Sequence, residues 1–229
     1  MKHSGQLEEK KYRRFGTNKS TGFTFVELLA VISLLSILIF AAAPIFTDSS
    51  YAAGTSAREL IKAHLRQARA KAVSSGIATA VIIPTLESGD DVGARAISLL
   101  SVVRKESGYV PVVGSDGKAV LLQRWRTLPK NLHFVPGADL DPPRNTMMDA
   151  AEKVTVETGN GSFLCHLMVF ASNGQIVFPK QGESLDIGIA EAVRKGAGLQ
   201  FTHQSNGKSV FSLLRVNRLT GRTRSISQR

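Results

Sequence analysis

Apolar and polar positions divide the chain into a helical first third and a β-rich remainder. In residues 23–46 only Thr24, Glu27, Ser33, Ser36 and Pro44 interrupt a run that is otherwise apolar. As a helix these 24 residues span about 36 Å at about 1.5 Å per residue, enough to cross a bilayer. Further on, Ala57, Ile61, Leu65, Ala68 and Ala72 recur with the period of one helical face. Arg58, Lys62, Arg66, Arg69 and Lys71 lie largely off that face. Ser75-Gly76 is a stop signal. Between the halves, Pro44 and the polar Thr47-Asp48-Ser49-Ser50 are expected to loosen or recap the helix. The pattern predicts one long helix, apolar all round at first and amphipathic afterwards, with the second half laid on a sheet.

Short β-branched and aromatic runs fill the rest: 77–83, 96–103, 119–125, 132–135, 163–170, 175–178, 199–202, 209–216 and 223–226. Ala171-Ser172-Asn173-Gly174, Asn206-Gly207 and Thr220-Gly221 mark turns. Segments 84–95, 104–118 and 136–161 are rich in Gly, Pro and acids and read as surface loops. Many short strands after one helix predict an α+β fold with the helix packed on antiparallel sheets. Trp125 is expected to be a buried anchor beneath the helix. The expected organisation is a basic leader, 1–22, an apolar helix, 23–46, and a head, 47–229, made of helix 47–75 and a β-rich region 77–226.

Charge gives this division an orientation. Residues 1–22 hold Lys2, Lys10, Lys11, Arg13, Arg14 and Lys19 against Glu8 and Glu9, which places them in the cytoplasm and the head outside. With 229 residues, 43% of them hydrophobic, wholesale disorder is excluded. The single cysteine, Cys165, excludes an intrachain disulfide and a cysteine-rich zinc site. Three readings compete for 23–46: a secretory signal cut after Ala41-Ala42-Ala43, a plain signal anchor, and a segment processed between Gly22 and Phe23. Glu27 separates them. A carboxylate inside an apolar run costs about 2.5–3.5 kcal/mol on insertion scales and calls for a partner, and only the third reading supplies one, a new α-ammonium at Phe23. A protonated or snorkelling Glu27 is the alternative that needs no cut.

The string Gly22-Phe23-Thr24-Phe25-Val26-Glu27-Leu28-Leu29 resembles the cleavage and methylation motif of type IV prepilins and pseudopilins. The resemblance implies that a prepilin peptidase cuts after Gly22 and N-methylates Phe23. It also implies that Glu27 pairs with a neighbour's terminal amine during assembly, and that Pro44 loosens the helix. The order of elements is similar to GspH/FimT-type minor pseudopilins, with softer matches at Trp125-Arg126-Thr127-Leu128-Pro129, Phe170-Ala171-Ser172-Asn173-Gly174 and 216–222. The leader is longer than in many prepilins and two loops are expanded, which also suits the GspH-like prepilin proteins of Verru_Chthon-type cassettes. Expected partners are the prepilin peptidase, other pilins or pseudopilins and the inner membrane. The expected role is structural, in a type II secretion pseudopilus or a type IV pilus-like fibre, with the head on the periplasmic side.

The last stretch, 208–229, carries Lys208, Arg215, Arg218, Arg222, Arg224 and Arg229 and no acid. Gly221-Arg222-Thr223-Arg224 is similar to the tail motif of FimT-like DNA-uptake pseudopilins, which implies a DNA-binding alternative through Arg222 and Arg224. Arginines two apart on a strand share a face and can grip successive phosphates. The competing reading is a charged edge strand that discourages strand addition. Catalysis has little footing, and neither an enzyme nor a cofactor is expected. His3, His64, His133, His166 and His203 lack metal-ligand spacing, and Cys165 and His166, adjacent on a strand, point to opposite faces. Cys165 reads as a core residue. Asp90-Asp91, or Asp139 with Asp141, read as solvated loop acids.

Overall fold

Helix α1, Phe25–Ser75, opens on Thr24 and closes at Gly76, whose φ of 70° turns the chain away while its N–H donates to the Ala72 carbonyl at 3.1 Å. The computed structural model describes residues 24–226 apart from 90–91, 107, 141, 151, 181, 197, 203, 206–207 and 210, and apart from the side chains of 40–51, 204–205 and 208–209. The chain divides into two units between Thr47 and Asp48. The chain does not recap a new helix beside Pro44. Helical backbone runs without interruption through 44–50, because one missing N–H removes a single rung and the neighbouring turns keep their own bonds.

The strands in chain order are β1 (Thr79–Pro84), β2 (Ala96–Lys105), β3 (Gly108–Pro111), β4 (Leu121–Thr127), β5 (Leu132–Val135), β6 (Lys153–Thr158) and β7 (Gly161–Phe170). There follow β8 (Ile176–Phe178), β9 (Ser184–Lys195), β10 (Gly198–Phe201), β11 (Gln204–Ser205), β12 (Lys208–Ser209), β13 (Phe211–Asn217) and β14 (Thr223–Ile226). A large sheet runs β3-β2-β1-β7-β6, with β4 also on β2 and β8 also on β7. A smaller sheet runs β10-β9-β13-β14, with β5 on β9. Every pairing between these strands is antiparallel. The fold is therefore α+β, a helix followed by antiparallel sheets.

The helical stripe is the centre of the main core. Ala57, Ile61, Leu65, Ala68 and Ala72 are all fully buried. They pack with Val81, Ile83, Ile97, Leu99, Met168 and Phe170 of the large sheet and Leu185, Ile187, Ile189, Leu214 and Val216 of the small one. Alanine at three of five positions lets the helix axis approach the sheets closely.

Alternation sends the intervening residues to a second core on the other face of the large sheet, built from Ala80, Ile82, Leu100, Val102, Val156, Cys165, Leu167 and Val169. That face folds over on itself. Tyr109 on β3 and Phe178 on β8 have ring centroids 6.1 Å apart, although a flat sheet would hold those strands about 19 Å apart at about 4.8 Å per strand. The Ala119 N–H donates to the Glu157 carbonyl on β6 at 2.7 Å, which closes the curl. Trp125 belongs here and not beneath the helix. It packs edge-on against Phe163 at 5.6 Å, among the second core's half-buried neighbours.

Four strands were not foreseen, one of them the two-residue β11, which falls between the expected runs 199–202 and 209–216. β3 and β6 lie inside segments expected to be loops, and β9, at 12 residues, is the longest strand described. Its LDIGIAEAV run mixes small, acidic and apolar residues, so the alternation is weak, yet β5 and β13 flank it and bury residues 185–190. The stretch 136–150 is also no surface loop. Gly137, Leu140, Thr146, Met147, Met148 and Ala150 are buried. Asp149 gathers this stretch by accepting from the Gly137 N–H at 2.9 Å, the Thr146 N–H at 2.8 Å and the Thr146 hydroxyl at 2.9 Å.

Candidate functional site: the N-terminal segment and a basic cleft

Gly22 and Phe23 lie outside the described residues, so the site begins at Thr24. The Thr24 N–H donates to Glu27 Oε2 at 2.9 Å, its hydroxyl donates to the same oxygen at 3.0 Å, and the Glu27 N–H donates to Thr24 Oγ1 at 3.2 Å. This is a capping box that satisfies helix-start donors reciprocally. Glu27 thus has a partner within its own chain, which sequence reasoning missed although Thr-x-x-Glu was there to read. From 25 to 39 the large apolar side chains are exposed, from 47% at Val31 to 75% at Phe25. The two serines in this run turn inward, Ser33 and Ser36 donating to the Leu29 and Ile32 carbonyls at 2.8 Å. Each hydroxyl proton thereby has an acceptor within the helix, although both serines remain exposed. Among the described residues no helix is long and apolar enough to cross a membrane. The described side chains of the apolar run stop at Ile39, and that of Pro44 lies outside them.

At the other end of the chain the basic residues part company. Arg215 is bound to Asp186. Arg218 donates to the Gly182 carbonyl at 2.8 Å and the Ile176 carbonyl at 3.4 Å. Both are structural, each tying β13 or its end to another segment. Arg224 stands on β14 directly opposite Arg215, on the face that carries the third core of Val135, Leu140, Ala190, Phe211 and Leu213. Arg222 sits in the turn before β14. It lines a cleft of about 810 Å³ together with Lys62, Arg66 and Arg69 of α1. The structure thus does not bring Arg222 and Arg224 into one cleft. It joins Arg222 to helix cations that are 153 to 160 residues away in sequence, which no local motif signals.

Arg69 is held in place by glycines. A Cβ at Gly221 would lie 2.9 Å from Arg69 Cδ, and one at Gly174 would lie 2.9 Å from Arg69 Nε. Both glycines have positive φ, 62° and 78°, so each turn needs glycine for its backbone and for the arginine that crosses it.

The remaining titratable groups are placed for packing. Cys165 faces the second core, and burial pushes its thiol up to about 12. His166 is buried on the opposite face, and burial first, then Lys153, lowers its imidazole to about 4. Burial also lowers His64 and His133, each against a backbone hydrogen bond to Leu60 or Asn131. Burial and then the Asp149 charge raise the Asp139 carboxyl. Asp90, Asp91 and Asp141 lie outside the described residues. Among those described, no three His, Cys, Asp or Glu side chains are grouped to hold a metal ion.

Comparison with known proteins bears on the first of these sites. Residues 17–43 match the family described as the prokaryotic N-terminal methylation motif. No curated protein matches the chain. Two crystal structures of the Pseudomonas aeruginosa type IV minor pilin FimU are similar at 17% identity. The form in space group P21 has a TM-score of 0.41 over 80% of this chain and 92% of that one. The P65 form has a TM-score of 0.38 over 76% and 92%.

Proposed function

We propose that the chain is a minor pilin-like structural subunit, cut by a prepilin peptidase between Gly22 and Phe23 and N-methylated on Phe23. The observation that carries this reading is the methylation motif over residues 17–43, which spans the proposed cut and the apolar helical surface behind it. Hydrocarbon exposed on every side of 25–39 supports an anchor in the inner membrane before assembly and helix–helix packing with other pilins or pseudopilins afterwards. The finer assignment is a short fibre of the type II secretion pseudopilus or type IV pilus kind, with the head on the periplasmic side. In this reading Glu27 has two partners in turn. Thr24 satisfies it in the single subunit, and a neighbour's terminal amine competes for the same carboxylate on assembly, where low dielectric strengthens the charged contact. Pro44 supplies the one missing rung at which the anchor helix gives. DNA capture through Arg222 and Arg224 is the second reading. The cations that join Arg222 in the cleft favour it, and the placement of Arg224 beside Arg215 weighs against it.

Mass spectrometry of the chain co-expressed with a prepilin peptidase tests the leading reading. The expected mature protein starts at Phe23 and carries one added methyl group. A protein that still starts at Met1, or that starts beyond Ala43, overturns it.

A further inference from the structure

We infer that the cleft between α1 and the 217–222 turn is a docking groove for an acidic protein segment, with Arg69 as its fixed anchor and Arg66, Lys62 and Arg222 around it. The inference rests on the reading of the chain as an assembling subunit only for where such a segment would come from, a neighbouring subunit.

Charge is the first argument. The groove presents four cations and one acid, Glu59. Glu59 is engaged by Lys62 at 2.8 Å and reached by Arg66 at 3.9 Å. Arg69 and Arg222 are left to attract carboxylates from outside. Arg66 keeps 70% of its side chain exposed and adds charge at the rim, its Nε donating to the Lys62 carbonyl at 3.3 Å. The cations from Lys62 to Arg69 extend over about 10 Å at about 1.5 Å per residue. Carboxylates at i, i+4 and i+7 of an acidic helix, or at alternate positions of a short strand, repeat on that scale.

Preorganisation is the second. An exposed arginine loses much rotamer freedom when it binds. The Arg69 stem is already clamped between Gly174 and Gly221, so its guanidinium fork is offered at less entropic cost. Gly221 is itself buried, and its N–H donates to the Asn217 carbonyl at 2.8 Å. Asn217 Oδ1 accepts from the Thr220 N–H and hydroxyl at 2.9 and 3.0 Å. The wall that presents Arg222 is therefore a bonded turn.

The lining also argues for protein over nucleic acid. Ala70 and Val73 form part of it, and Val73 is 53% exposed. An apolar side chain flanked by carboxylates would cover both kinds of surface, whereas a phosphodiester backbone leaves the apolar wall uncovered.

The test is fluorescence anisotropy of the purified full chain in detergent with a labelled octapeptide of alternating glutamate and leucine. Expected is saturable binding that weakens about tenfold in Arg69→Met, which keeps the stem and removes the charge. The same loss is expected in Arg66→Glu, a residue whose exposure leaves folding intact. Arg104→Glu, outside the cleft, should bind as the parent does, and raising NaCl from about 50 to about 500 mM should weaken the parent severalfold. Absence of saturable binding, binding unchanged in both cleft variants, or displacement of the peptide by a duplex DNA of about 20 base pairs that binds more tightly at equal salt would each overturn the inference. None of these outcomes depends on where the mature chain begins, so the reading of the N-terminus stands or falls separately.

Discussion

Arg215 holds Asp186 across the β13–β9 ladder with two parallel hydrogen bonds, Nε to Oδ1 at 2.8 Å and Nη2 to Oδ2 at 2.9 Å. Asp186 keeps only 6% of its side chain exposed, and Arg144 approaches it at 3.6 Å. One acid therefore serves two arginines, and Arg224 adds a further positive charge opposite Arg215 on the next strand. Replacing Asp186 by Leu leaves Arg215 and Arg144 without their counter-charge. The expected loss is about 2–4 kcal/mol. The double variant Asp186→Leu with Arg215→Leu should recover most of it. Thermal unfolding of the two variants beside the parent measures both.

Asp149 is the second acid on which local structure depends. It accepts from Gly137 and twice from Thr146, closing a capping box on the short helical turn at Met147–Asp149. Asp149→Ala leaves these donors without a partner in a largely buried stretch. The expected cost is about 2–3 kcal/mol, a fall in Tm of roughly 5–10 °C for a head of this size. Asp149→Asn should lie between the two, since it keeps one acceptor oxygen.

Acid sensitivity should concentrate on buried imidazoles. His166 titrates at about 4 when folded, below its ordinary value of 6.5, so between those pH values the unfolded chain binds the proton that the folded chain refuses. Stability is then full above pH 6.5 and declines as pH falls towards 4. His64 and His133 are lowered in the same sense and steepen the decline. In denaturant titrations from pH 7 to pH 4.5, His166→Gln should flatten that decline by about 2–3 kcal/mol.

Cys165 should be silent in the native protein. Full burial and a thiol pushed up to about 12 leave almost no thiolate at neutral pH. A maleimide reagent at pH 7.5 should label the folded chain negligibly and the urea-unfolded chain fully.

The sequence made the helix legible because its signal is periodic and local. Five apolar positions at helical spacing become five fully buried side chains, and Ser75-Gly76 ends the helix where it was expected to end. Strands with strong β-branched runs, such as Thr79–Pro84, were equally plain. β9 was not, because Gly188, Ala190 and Ala192 carry little strand preference and the strand is specified by the neighbours that flank it. The buried segment 136–150 looked like a loop because its order comes from one carboxylate and backbone donors, which leave no hydrophobic pattern. The same holds for the cleft. Arg69, Gly174 and Gly221 are distant in sequence, and only folding reveals that two turn glycines make room for one arginine.

The curl of the large sheet has a mechanical corollary. Among the described residues its inner filling draws nothing from α1, being made of strand residues and of Tyr109, Trp125, Phe163 and Phe178. A pull transmitted along the helix would shear the layer containing Ala57, Ile61 and Leu65, while the rolled strands behind it retain their own hydrophobic cargo. Amides of β1 and β7 should therefore exchange more slowly than those of the amphipathic helix when the protein is loaded or mildly destabilised, making the roll the last part of the head to come undone.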